Sequence, residues 1–308
     1  MDISRVASVL FVLISFAPFG VQSITAAQDS KASHPHYAVK DLGTFGGSSS
    51  FYFSEPVVES ANNRGMVVGG ADTAVPDPFV PNNCLSRDCT ILHAFQWRNG
   101  VLTDLGTLTG SFSSTAFWVN ERGLVMGLSE TGVIDPLNGI PEQVAVLWKD
   151  GEILSLGTLK GGVFSFPNAM NNRGQVIGVA QNTIRDPLSF LGFGTQSRAF
   201  LWQEGEIEDL GTLGGPDALG ASVNEHRQAV GWALTNSTPN PVTNSPTQHP
   251  FLWENHIMRD LGTLGGTFAV VGALPPSPGA GGSINNRAQV IGTSNLAGDI
   301  DNLRAPNL

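Results

Sequence analysis

The feature that most constrains this chain is a repeat. Asp41-Leu42-Gly43-Thr44-Phe45-Gly46-Gly47 returns from Asp104 to Gly110, from Ser155 to Gly162, from Asp209 to Gly215 and from Asp260 to Gly266. The first glycines of these copies (Gly43, Gly106, Gly157, Gly211 and Gly262) stand 63, 51, 54 and 51 residues apart. Two further motifs keep step. Asn62-Asn63-Arg64-Gly65-Met66-Val67-Val68-Gly69 is matched from Asn120, Asn171, Asn224 and Asn285, and His93-Ala94-Phe95-Gln96-Trp97 from Val144, Arg198 and His249. Three motifs repeating in a fixed order mark one supersecondary unit used several times.

Each unit reads as four strands. A short small-residue strand such as Ala221-Ser222-Val223 precedes the Asn-Asn-Arg-Gly turn, where Asn and Gly tolerate positive φ. Gln175 to Gly178 is the second strand. Ala199 to Trp202 is the third, apolar on both faces and so expected to be buried on both. The fourth runs from Glu206 to Leu213. Its apolar positions (Ile207, Leu210, Leu213) fall three apart, which is not a strand period, and a bulge at Gly211 is the expected cause. The prediction is an all-β fold, a β-propeller of about five four-stranded blades. Tyr37 to Gly43 reads as a lone fourth strand. Ile284 to Gly292 with residues 303–308 reads as the rest of that blade. Pairing of these N- and C-terminal strands would close the ring and leave no exposed edge.

The N-terminus has its own signature. Arg5, the apolar run Val9 to Ala17, the breakers Pro18 and Gly20 and the small residues up to Ala27 read as a secretory signal peptide over residues 1–27. Residues 28–36 are expected to be a disordered tail and 37–308 the repeat domain, exported to an extracellular or periplasmic compartment. No later apolar run is long enough to span a bilayer, so no transmembrane segment is expected in the mature chain. In an exported chain, Cys84 and Cys89 are most simply a disulfide pinning one loop.

A net charge of −10 without basic clusters argues against nucleic acid and anionic membranes as partners. Nucleophile-elbow, phosphate-loop and His-Glu-x-x-His patterns are missing, so the sequence assigns no catalytic residue, cofactor or metal. A monomer is expected.

The order His-Ala-Phe-x-Trp, Asp-Leu-Gly-Thr-Leu-Gly-Gly, Asn-Asn-Arg-Gly-x-Val-x-Gly resembles the HAF family of extracellular repeat proteins, over roughly residues 37 to 308. Its length and glycine pairs are also distantly similar to kelch repeats. Departures are Ser155 for Asp, Thr109 for Gly, Val144-Ala145-Val146 for His-Ala-Phe and Ala288 for Gly. The resemblance implies bacterial export and a repeat architecture. It supplies no activity and no catalytic residues.

Function is therefore sought where the repeats differ. The second-to-third connections, near 71–92, 129–143, 180–197 and 233–248, are the longest and gather on one face with the inter-blade loops, where binding tends to sit. Asp77-Pro78, Asp135-Pro136, Asp186-Pro187 and Asn240-Pro241 read as a repeated turn, with ligand or calcium binding as the alternative. Phe51, Tyr52, Phe53, Phe112, Phe164, Phe166 and Phe268 on the same face pack between blades or stack on sugar rings. Trp118 and Trp232 fall outside the repeated tryptophan position, whereas Trp97, Trp148, Trp202 and Trp253 occupy it and belong to the core. The leading expectation is an exported binding or scaffold module presenting this loop-rich face to a glycan or protein. The alternatives are a propeller-type polysaccharide hydrolase or lyase, for which Glu55 and Glu59 are the available carboxylates, and a structural cell-surface protein without a small ligand.

Overall fold

The repeated Asn organises the chain locally. Asn171 Oδ1 accepts the N–H groups of Arg173 and Gln175, each at 3.0 Å, which fixes the turn that starts a hairpin. Asn62, Asn120, Asn224 and Asn285 do the same in their own repeats. In the computed structural model, which describes residues 38–52, 59–80, 84–136, 139–192, 194–241, 245–271 and 283–298, every regular element is a β-strand. The signal peptide, the tail, Phe53, Glu55 and the strand expected at 303–308 lie outside these residues. Among the described residues, every strand belongs to the compact unit that begins at Asp41.

Repeat 1 comprises β1 (Gly46–Phe51), β2 (Val67–Pro76), β3 (Thr90–Arg98) and β4 (Val101–Asp104). Repeat 2 comprises β5 (Ser114–Val119), β6 (Val125–Ile134), β7 (Pro141–Lys149) and β8 (Glu152–Gly157). Repeat 3 has β9 (Ser165–Met170), β10 (Val176–Arg185), β11 (Thr195–Gln203) and β12 (Glu206–Asp209), and repeat 4 has β13 (Ala218–Val223), β14 (Ala229–Leu234), β15 (Gln248–Glu254) and β16 (Ile257–Asp260). Each forms an antiparallel meander in chain order. Repeat 5 contributes a hairpin of β17 (Gly265–Val271) and β18 (Gly292–Leu296), joined to repeat 4 by one parallel bridge, Gln248 to Phe268.

Two glycines of the unit are dictated by geometry. The glycine ending the Asn motif leaves no room for a side chain. A Cβ on Gly127, Gly178 or Gly231 would stand 2.0, 2.1 or 1.9 Å from a carbonyl oxygen of the neighbouring first strand. That strand bulges opposite the glycine, with register slips at Phe117, Asn168 and Ala221. The glycine of Asp-Leu-Gly has φ between 71° and 88° in all five copies, and its N–H is accepted by the Asp side chain two residues earlier. Ser155 takes over that role for Gly157 at 3.2 Å, so the substitution preserves the turn.

Three expectations change. The fourth strand ends at the Asp in repeats 1, 3 and 4, because the positive-φ glycine turns the backbone out of the sheet. Only in repeat 2 does it reach Gly157, with the bulge at Leu156. The second strands of repeats 1 to 3 run to Pro76, Ile134 and Arg185, so the connections beyond them are shorter than the sequence pattern implied. Residues 38–44 form no strand, and Asp41 instead makes the same turn as its counterparts.

The core lies in the seams. Three buried apolar clusters each bridge neighbouring repeats: Val68 with Ala116 and Val146, Ile177 with Phe200 and Phe251, and Val230 with Val270 and Ile284. Ser114 and Ser165 staple the seams by accepting the N–H of Ala94 and Ala145 while donating to the carbonyls of Gly106 and Gly157.

Candidate functional site

Antiparallel meanders place the Asn hairpins at one end of the sheets and the second-to-third connections at the other. The two ends differ in kind.

At the hairpin end the repeats are cross-linked by two hydrogen-bond ladders. Asn62 Nδ2 donates to the Asn120 carbonyl (3.0 Å), Asn120 to Asn171 (3.1 Å), Asn171 to Asn224 (2.8 Å) and Asn224 to Asn285 (2.9 Å). One residue on, the N–H of Asn63 donates to Glu121, Glu121 to Asn172, Asn172 to Glu225 and Glu225 to Asn286, each time into the side-chain oxygen of the next repeat. These rungs wall a cavity of about 270 Å³ whose lining comes from all five repeats and includes Glu59, Trp118, Met170, Glu225 and Asn286. The Glu59 carboxyl is held above its ordinary value by desolvation and then by the Glu121 charge. Glu121 Oε1 accepts the Asn63 N–H and Glu225 Oε1 that of Asn172, so both carboxylates serve as rungs of the ladder.

At the loop end most sequence-derived candidates serve packing. Asp77 Oδ1 accepts the Phe79 N–H at 2.8 Å and Asp186 Oδ1 that of Leu188 at 2.9 Å, which is the turn role of Asp-Pro. Asp135 is equally buried, and its carbonyl accepts the Gly139 N–H. Phe112 meets Phe79 edge-on at 5.8 Å across a seam, and Phe164 stacks on Phe166, which stacks on Phe117. Phe51 and Phe268 are half-buried strand residues, and Tyr52 is exposed. Trp118 and Trp232 are core residues, Trp118 lining the cavity wall and Trp232 packed edge-on against Phe190 at 4.8 Å. The repeated Trp148, Trp202 and Trp253 are buried, and Trp97 is half-buried. Cys84 and Cys89 form a disulfide within the first connection. Among the described residues, no group of three or more His, Cys, Asp or Glu is placed to hold a metal, and no helix is long and apolar enough to cross a membrane.

The sequence reading missed a repeated exposed position. Val75, Val133 and Ile184 occupy the same place near the tips of β2, β6 and β10 and are 53%, 53% and 56% exposed. Phe112, Leu188 and Phe190 are exposed on the same end. Aligning the repeats on their Asn motif reveals the row, and it lies where the second strand has outrun its pairing with the first while still paired to the third. No family model matches the chain, and neither the curated proteins nor the solved structures contain a match.

Proposed function

We propose that the chain is an exported HAF-like repeat protein, a five-bladed propeller-type array, whose loop-rich end binds a protein partner. The observation that carries the binding reading is the aliphatic row Val75, Val133 and Ile184, with Phe112 and Phe190 beside it. Repeated exposed apolar side chains on a rigid sheet framework mark interaction surfaces. Export is supported by the N-terminal sequence and by a disulfide of the kind that persists in oxidising compartments. The five-bladed reading draws support from a cavity bordered by five successive repeats. Closure of the ring by the two chain ends requires a cover over Ile291, which is 66% exposed, and is tested at that side chain.

The binding test compares retention of wild type and a Val133→Ser/Ile184→Ser double variant on intact cells of the producing organism. The expected result is lost retention with an unchanged melting curve, and loss of wild-type retention when the cells are first treated with protease. Retention that survives protease but is competed by polysaccharide moves the assignment to a glycan, for which exposed Tyr52 and Phe112 are the stacking surfaces. Equal retention of both chains removes this row from the binding surface.

A further inference from the structure

Repeat 4 departs from its siblings at two turns, and both departures reach the same carboxylate of repeat 3. The turn after the Asn places Gly65, Gly123 and Gly174 at positive φ, and repeat 4 has Arg227 there at 64°. The turn from third to fourth strand places Gly100, Gly151 and Gly205 at positive φ, and repeat 4 has His256 there, also at 64°. A Cβ makes this left-handed conformation unfavourable. Both side chains meet Glu208 on β12: Arg227 Nη2 lies 2.8 Å from its Oε2 and His256 Nδ1 2.5 Å from its Oε1. The ring of Trp253, a residue 1% exposed, underlies the pair. The Arg227 guanidinium stands 5.2 Å from the ring centroid, and the His256 ring meets it edge-on at 5.5 Å.

We infer that Glu208, Arg227 and His256 form a latch that fastens repeat 3 to repeat 4 at their outer rim. Glu208 is as particular to its repeat as its two partners are. Strand pairing puts Thr103, Leu154 and Arg259 at its position in repeats 1, 2 and 4. Acid, guanidinium and imidazole therefore coincide at this seam, whereas the Asn ladder recurs at each of the four. The ladder runs along the hairpins that border the cavity, while β12 is an edge strand of its sheet. A tie at that edge resists the two sheets rotating apart about their inner strands, which the ladder by itself does not. All three side chains are partly exposed, so each direct ion pair is modest. The effect is one of coupling, since Glu208 offsets the strain of two turns at once.

The experiment measures melting temperatures of the full chain for Arg227→Gly and His256→Gly, each in wild type and in Glu208→Thr. Every substitution installs what a sibling repeat already carries, so all the variants are expected to fold. Each glycine substitution should be roughly 2–4 °C more favourable in Glu208→Thr than in wild type, because strain is relieved there without breaking an ion pair. Hydrogen exchange then locates the effect. Glu208→Thr should speed exchange at the β12 amides and leave β4 and β8, the outer strands at the two preceding seams, unchanged. Equal shifts in the two backgrounds overturn the proposal. So does exchange at β12 that stays level or rises no more than at β4 and β8.

Discussion

The fourth and fifth repeats carry the same turn and the same strand, yet the two strands end in opposite surroundings. Val230 and Ile291 each lie six residues after their Asn, and both turns are closed by the same side-chain hydrogen bonds. Val230 is fully buried, while Ile291 is 66% exposed. Their equivalents in the first three repeats, Val68, Met126 and Ile177, are all buried. The hairpin therefore forms from its own residues, whereas burial is conferred by the next repeat. Ile177 lies against Gly220 of repeat 4, and Val230 sits in a cluster with Val270, Val271 and Ile284 of repeat 5. Among the described residues the Asn ladder ends in the same way, with Asn285 Nδ2 bonded only to its own Gln289. Stability in such an array is a sum over units and their interfaces.

The sharpest way to break this comparison is to truncate the same position in the middle and at the end. Ile177→Ala should cost about 2–5 kcal/mol, since it opens a cavity in a closed seam. Ile291→Ala should stay within about 0.5 kcal/mol, as exposed substitutions do. Urea unfolding of both variants measures the difference. A loss at Ile291 that approaches that at Ile177 would mean that repeat 5 is covered and the ring closes.

A smaller effect of opposite sign is expected one turn away. Ala288 holds φ 58° where Gly65, Gly123 and Gly174 stand in other repeats. A left-handed conformation costs a residue with a Cβ roughly 1–2 kcal/mol, partly offset by the greater unfolded-state freedom of glycine. Ala288→Gly should therefore raise stability by up to about 1 kcal/mol, and a lower urea midpoint would show that the turn is not the weak point of repeat 5.

The smallest effect concerns the tie between third and fourth strands. His93 pairs with Asp104 at 2.7 Å and His249 with Asp260 at 2.8 Å, while repeat 2 has Val144 and Ser155 instead. Partial desolvation alone would raise the Asp104 carboxyl. The His93 hydrogen bond, the Gly106 N–H and the His93 charge together carry it below its ordinary value. Its contribution is thus present above the unfolded pKa, about 3.9, and lost as pH falls through the lower folded value. The pair is partly exposed and screened, so His93→Ala should only soften the acid limb of the melting profile. An acid limb unchanged by His93→Ala would assign the shift to the Gly106 N–H alone.

Much of this was legible along the chain. The Asn turns, the positive-φ glycines and the buried third strands follow from residue types whose constraints are local. The strand boundaries were less legible, because Asp209 looks like a mid-strand residue until its side chain is seen capping the Gly211 N–H. Trp118 and Trp232 stood out because they break the repeat, but they are core residues whose rings fill space between repeats.

Sequence alone was enough for the repeat, its all-β character and the role of the conserved-in-register turns, since each depends on contacts within a few residues. Tertiary structure decided which side chains meet across a seam: the Asn and Glu ladders, the Phe79–Phe112 contact and the exposure of Val75, Val133 and Ile184. Those outcomes depend on how one sheet lies against the next, and a side chain some fifty residues away leaves no local trace of that packing.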